Sequence, residues 1–206
     1  MRVLVTGFEP FGKIPLNPSQ MLVEKLPESP FKTIEIVKAI LPVDKDRAPD
    51  LLLAEMQTHQ PDAVLAFGLA SGRPKISLEQ VALNLMDFRI PDNTGKTVAD
   101  QAVVEGGPAA YFTTLPIHAI AETLKTSGIP VEISLTAGAF LCNQVFYTMM
   151  HAIAVQRLTM AAGFIHLPAL PEQTAQMEKP TPSLSLETDL KAAYIILDRL
   201  RSADFN

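Results

Sequence analysis

A chain of 206 residues with 48% hydrophobic content can bury a full core, and residues 1–206 read as a single α/β domain. Seventeen Lys and Arg stand against 22 Asp and Glu, a net charge of -5 with no basic stripe or long like-charge block, which argues against a nucleic-acid partner. One cysteine excludes an internal disulfide, and the N-terminal apolar run is far shorter than a signal-peptide core or membrane span, so a cytoplasmic protein with no membrane partner is expected.

In chain order, residues 2–6 form a short β-branched run that stops at Gly7, residues 17–26 a helix, and residues 34–37 a second strand, so a βαβ unit opens the fold. Residues 45–58 carry helical apolar spacing. The unbroken apolar run 63–67, ended by Gly68, suits a strand covered on both faces in a parallel sheet. Residues 75–85 alternate like an exposed strand or hairpin, and 89–95 hold the Pro, Asn-Thr and Gly chemistry of a loop. Helices over 116–127 and 143–156 then alternate with strands over 131–135 and 159–166. The Pro-, Gln- and Thr-rich stretch 168–182 reads as an ordered irregular connection, with a mobile lid or a subunit contact as alternatives. Ser185 is the N-cap candidate of a last helix over 186–202, whose first turn places Glu187 and Asp189 where negative charge suits the helix dipole. This alternation predicts a three-layer α/β/α sandwich on a mostly parallel, twisted sheet, with ligands at the carboxyl ends of the strands.

Gly7-Phe8-Glu9-Pro10-Phe11-Gly12-Lys13-Ile14 matches a phosphate-loop pattern but lacks its chemistry. Ile14 offers no hydroxyl to a magnesium ion, Pro10 has no N–H to donate, and Glu9 would repel a phosphate. What remains is a turn carrying two aromatic rings, Phe8 and Phe11, for which ordinary core packing is the competing reading. No cofactor motif and no metal-ligand set is found.

Cys142 lies where a glycine-containing turn runs into the first turn of a helix. Unpaired N–H groups and the helix dipole stabilise a thiolate there, although a lone cysteine is often only a small buried hydrophobe. Four histidines compete as its base. His151 is half a helical rotation away and about 13 Å along the axis, out of reach. His59 suits a helix C-terminus, and His118 a helix start at the surface. His166 ends an apolar strand at the edge where α/β sites collect, and a satisfied core histidine is its alternative. Glu79 falls among Ile76, Leu78, Val81 and Leu83, and strand parity puts it with Val81 and Leu83 on an apolar face unless a bulge turns it to solvent. It could orient a Cys–His pair.

Taken together, these residues resemble the pyroglutamyl peptidase I (pyrrolidone-carboxylate peptidase) family of cysteine peptidases, over nearly the whole chain. The N-terminal signature is matched by Thr6 to Gly12 with Asn17-Pro18-Ser19. Ser71-Gly72-Arg73, Glu79, Asn84, Asp87 and Arg89 to Asn93 resemble the central region, Ala137 to Asn143 with Phe146-Tyr147 the cysteine segment, and Phe164 to Pro168 the histidine segment. The resemblance implies a Cys142–His166–Glu79 triad that removes N-terminal 5-oxoproline from peptides through a thioester acyl-enzyme. It also implies Arg89, with the Cys142 N–H, as an oxyanion or site-organising group, a structural ion pair being the alternative for Arg89. Phe8, Phe11 and Phe140 would wall a pocket for the flat, uncharged lactam, with Leu141 contributing and Asn17 organising the N-terminal loop. A homotetramer is implied as well. The chain departs from the family at Leu69, where Gln is common, at Ser71 and Lys13, where Gly is common, and at Gln80, where Arg is common. A non-catalytic binding protein and a nucleoside-phosphorylase-like transferase are the competing functions.

Overall fold

The computed structural model describes residues 1–12 and 15–202, so the readings that involve Lys13 and Ile14 lie outside the described residues. The elements in order are β1 (Arg2–Phe8), α1 (Pro18–Lys25), β2 (Glu35–Leu41), α2 (Arg47–His59), β3 (Ala63–Leu69), β4 (Ile76–Glu79), β5 (Val81–Leu83), β6 (Ala110–Phe112), α3 (Ile117–Thr126), β7 (Val131–Ser134), α4 (Leu141–Gln156), β8 (Ala161–Leu167), α5 (Pro171–Thr174) and α6 (Leu186–Arg201).

A six-stranded sheet runs β2-β1-β3-β8-β4-β7, and every pairing in it is parallel except β8–β4. Its middle strands are buried on both faces, which is why β1, β3 and β8 are apolar without alternation. Val3, Val5, Leu65, Phe67, Ile165 and Leu167 face α1, α3 and α6 in one core. Leu4, Val64, Ala66, Ala162 and Phe164 face α2 and α4 in the other. The expected α/β/α sandwich is therefore the observed architecture. Gly7 allows α1 to press on β1, because a side-chain carbon there would sit 2.4 Å from the carbonyl oxygen of Ser19.

The stretch 75–85 departs from expectation. It is neither exposed nor one hairpin: β4 is wholly buried between β8 and β7, while β5 pairs with β6 in a separate two-stranded sheet. Gln80 is the junction, since its N–H donates to the carbonyl of Ser134 and its own carbonyl accepts from Thr113 N–H. The connection 168–184 is tied down by the short helix α5, by a bridge between Ala169 and Ser183, and by Gln173 Nε2 donating to the carbonyl of Leu16.

Candidate active site

Cys142 is the second residue of α4, ahead of that helix's first internal bond, Gln144 N–H to the carbonyl of Phe140. Its own N–H is thus one of the unpaired donors at a helix N-terminus. The helix start is pinned by Asn143, whose Nδ2 donates to the carbonyls of Leu83 and Leu85 and whose Oδ1 accepts from Leu83 N–H. Gly68 at the end of β3 leaves the sulfur room. A side-chain carbon at that position would lie 3.0 Å from Cys142 Sγ and 2.8 Å from the Phe164 ring.

The antiparallel β8–β4 pairing sets Ser77 opposite His166 and Glu79 opposite Phe164, so Glu79 and His166 are diagonal neighbours on one sheet face. Glu79 is fully buried rather than solvated on a bulge, and its Oε1 is 2.7 Å from His166 Nδ1. That contact leaves Nε2 of the ring for the sulfur. Burial pulls the His166 pKa down, but the neighbouring Cys142, with a smaller contribution from Glu79, outweighs the loss of solvent and raises it to about 9. The site favours the protonated form of His166.

A cavity of about 750 Å³ opens in front of Cys142 and His166. Its apolar wall includes Phe8, Phe11, Val43, Leu69, Ile90, Phe140 and Leu141, and Asn17, Ser71, Arg73, Asp87 and Arg89 bring polar atoms to it. Phe140 packs between Phe11 and Phe88, with ring centroids 5.4 and 4.6 Å away. Asn17 caps α1 by accepting from Ser19 N–H and donates Nδ2 to the carbonyl of Glu9, holding the aromatic turn. Arg89 stands exposed on the cavity wall and makes no ion pair or hydrogen bond among the described residues, so the structural-pair alternative finds no support.

Similarity to known proteins follows the same outline. The family model described as "Pyroglutamyl peptidase" matches residues 1–200. The chain belongs to the pyroglutamyl peptidase family. It is 45% identical over 197 residues to pyrrolidone-carboxylate peptidase of Thermococcus onnurineus strain NA1, covering 96% of this chain and 97% of that one. Against pyrrolidone-carboxylate peptidase of Vibrio vulnificus strain YJ016 it is 46% identical, over 91% of this chain and 86% of that one. Among solved structures, pyroglutamyl peptidase I of Bacillus amyloliquefaciens superposes with a TM-score of 0.94 at 41% identity, covering 98% of this chain and 97% of the other. A mutant pyrrolidone carboxyl peptidase from Pyrococcus furiosus gives 0.95 at 38%, covering 98% and 99%. Membership of this family makes the chain a cysteine-type peptidase.

In this pyroglutamyl peptidase family member all nine residues singled out in sequence for the site, Phe8, Phe11, Asn17, Glu79, Arg89, Phe140, Leu141, Cys142 and His166, line the cavity or, for Glu79, bond a residue that does. His151 is elsewhere, bonded to Tyr111 through Nδ1 at 3.0 Å and stacked on Tyr147. No residue of 168–184 reaches the cavity. Sequence reasoning misses Asn143 and Gly68 as supports, and gives Arg73 no role of its own. Arg73 Nη1 donates to Glu79 Oε1 at 2.6 Å. The local signal for Arg73 is slight, since nothing in its neighbourhood says which carboxylate it meets.

Proposed function

We propose that the protein hydrolyses the bond after an N-terminal pyroglutamyl residue, with Cys142 as nucleophile, His166 as base and acid, and Glu79 as the group that orients His166. The observation that carries this reading is the convergence of Cys142, in the first turn of α4, with a Glu79-bonded His166 at one end of an aromatic-walled cavity. The Cys142 thiolate attacks the carbonyl that joins the lactam ring to the next residue. The oxyanion that forms is met by the Cys142 N–H and by Arg89. His166 gives its proton to the leaving amine as the C–N bond breaks, which leaves a thioester on Cys142 and releases the shortened peptide. Water, deprotonated by His166, then attacks the thioester, and free pyroglutamate departs with the thiolate restored.

The pocket suits the substrate chemically. A pyroglutamyl ring is flat and uncharged, and Phe8, Phe11, Phe140 and Leu141 offer it apolar walls. A residue with a free α-amine would bring an unpaired charge into the same space. The test is release of aminocoumarin from its pyroglutamyl and prolyl derivatives by the wild type and by Cys142→Ser. Turnover of the first alone, absent in the variant, is expected. Equal turnover of both, or an active Cys142→Ser enzyme, would overturn the reading.

A further inference from the structure

Glu79 uses only half of its carboxylate. Oε1 accepts from His166 Nδ1 at 2.7 Å and from Arg73 Nη1 at 2.6 Å, while Oε2 is buried with no partner among the described residues. A fully buried carboxylate is costly to keep ionised unless cations stand against it. Arg73 comes from the loop between β3 and β4 and is itself fixed, by Ser134 Oγ at 3.3 Å and the carbonyl of Thr136 at 3.0 Å. The groups run Arg73, Glu79, His166, with Cys142 beyond, and their ionised forms alternate in charge.

We propose that Arg73 is a positioning residue that balances the charge of the buried site, so that the Cys142 thiolate forms near neutral pH. This rests on the reading of Cys142 as nucleophile. With Arg73 in place, the ionised forms of the four groups sum to zero. Without it the cluster carries a net negative charge, and the proton affinity of each remaining member rises. A purely mechanical role gives a different sign: a Glu79 that merely loosened would support the His166 cation less, and the imidazolium would be lost at lower pH. The other charged groups near the cluster are Asp87 and Arg89 on the cavity wall and Glu132 on β7, which accepts from Ser77 Oγ. None of these three is bonded to Arg73.

The test follows two rates across pH, iodoacetamide alkylation of Cys142 and kcat/KM on a pyroglutamyl-aminocoumarin, in wild type, Arg73→Gln and Arg73→Lys. Arg73→Gln should move both limbs of the profile up by about one pH unit, the low end for removal of a neighbouring charge, so that alkylation on the acid limb slows about tenfold at fixed pH. Arg73→Lys keeps the cation and should keep the wild-type limbs. Unmoved limbs in Arg73→Gln, or an alkaline limb that falls, would overturn the proposal. Alkylation of Glu79→Gln and of the Glu79→Gln/Arg73→Gln double variant repeats the comparison where no buried carboxylate is left unpaired. There too the limb should rise when Arg73 is lost, and an unmoved limb counts against the proposal. A wild type whose alkylation is slow and indifferent to His166→Ala would sink the nucleophile reading and this inference with it, whereas fast, His166-dependent alkylation with unmoved limbs sinks this inference alone.

Discussion

The hydrogen bond between His166 and Glu79 fixes the imidazole's orientation, and the raised pKa fixes its charge. A histidine elevated to about 9 holds its proton through neutral pH and loses it as pH climbs past that value, so the proposed mechanism loses its general acid on the alkaline side. Glu79→Gln removes one of the groups that raise that pKa. The alkaline limb of kcat/KM should move to lower pH, and a limb that stays near its wild-type position would show that Glu79 does not tune His166. Gly68 makes a second, steric demand. In Gly68→Ala the new methyl meets the sulfur at 3.0 Å and the Phe164 ring at 2.8 Å, so one of them must shift. Overpacking of this kind costs about 1–3 kcal/mol, and if Cys142 is the nucleophile as proposed, a shift of the sulfur or of the ring beside it should lower kcat by about tenfold or more. Steady-state kinetics beside a urea melt check both parts, and wild-type kcat would refute the second.

Elements place these residues through contacts that differ in how openly the sequence declares them. Asn17 is a mixed case: the sequence puts it at the start of a helix over 17–26 and the resemblance gives it the N-terminal loop, while in the structure it is the N-cap, its side chain accepting from Ser19 N–H. Its Nδ2 also reaches the carbonyl of Glu9, so the cap and the aromatic turn are one unit. Asn17→Ala should cost about 1–2 kcal/mol by denaturant unfolding. It should also raise KM more than it lowers kcat, because the wall carrying Phe8 and Phe11 slackens while Cys142 and His166 stay put; an unchanged KM would separate the cap from the pocket. Helix α4 is equally legible, and its start two residues earlier than the spacing predicts puts Cys142 inside the first turn. The stretch 75–85 is not legible. Alternation continues through Gln80, yet the backbone passes there from β7 to β6, and both partners lie more than thirty residues downstream. No local pattern announces that change of sheet. The same break explains why parity groups Glu79 with Val81 and Leu83, whereas its companions on the sheet face are Ser77 and, across the strand gap, His166. Arg73 stays hidden for a related reason, since its partner Glu79 is met only once β4 has folded between β8 and β7.

Across the whole molecule, burial of a second acid sets how stability follows pH. Asp189 has the first-turn position in α6 that its sequence suggests, but it faces inward with no exposed surface, and neither carboxylate oxygen has a partner among the described residues. Loss of solvent raises its pKa to about 7. The folded state therefore binds a proton over a range in which the unfolded chain, with an ordinary aspartate, has released it. Stability from this group is full below the unfolded pKa of about 4 and is lost as pH rises through about 7. The loss amounts to a few kcal/mol, since each tenfold difference in proton affinity between the two states is worth about 1.4 kcal/mol. The direction is opposite to that of a salt-bridged carboxylate, which stabilises at high pH. Asp189→Asn keeps a polar group of similar size and cannot ionise. Urea unfolding at a series of pH values should show the wild type weakening from mildly acidic to neutral conditions, and the variant losing that slope and overtaking the wild type above pH of about 7. An identical slope in both proteins would assign the titration to another group. Asp189 would then ionise in the fold as readily as in the unfolded chain, hydrated beside α6, and its inward placement would cost the fold nothing that pH can reveal.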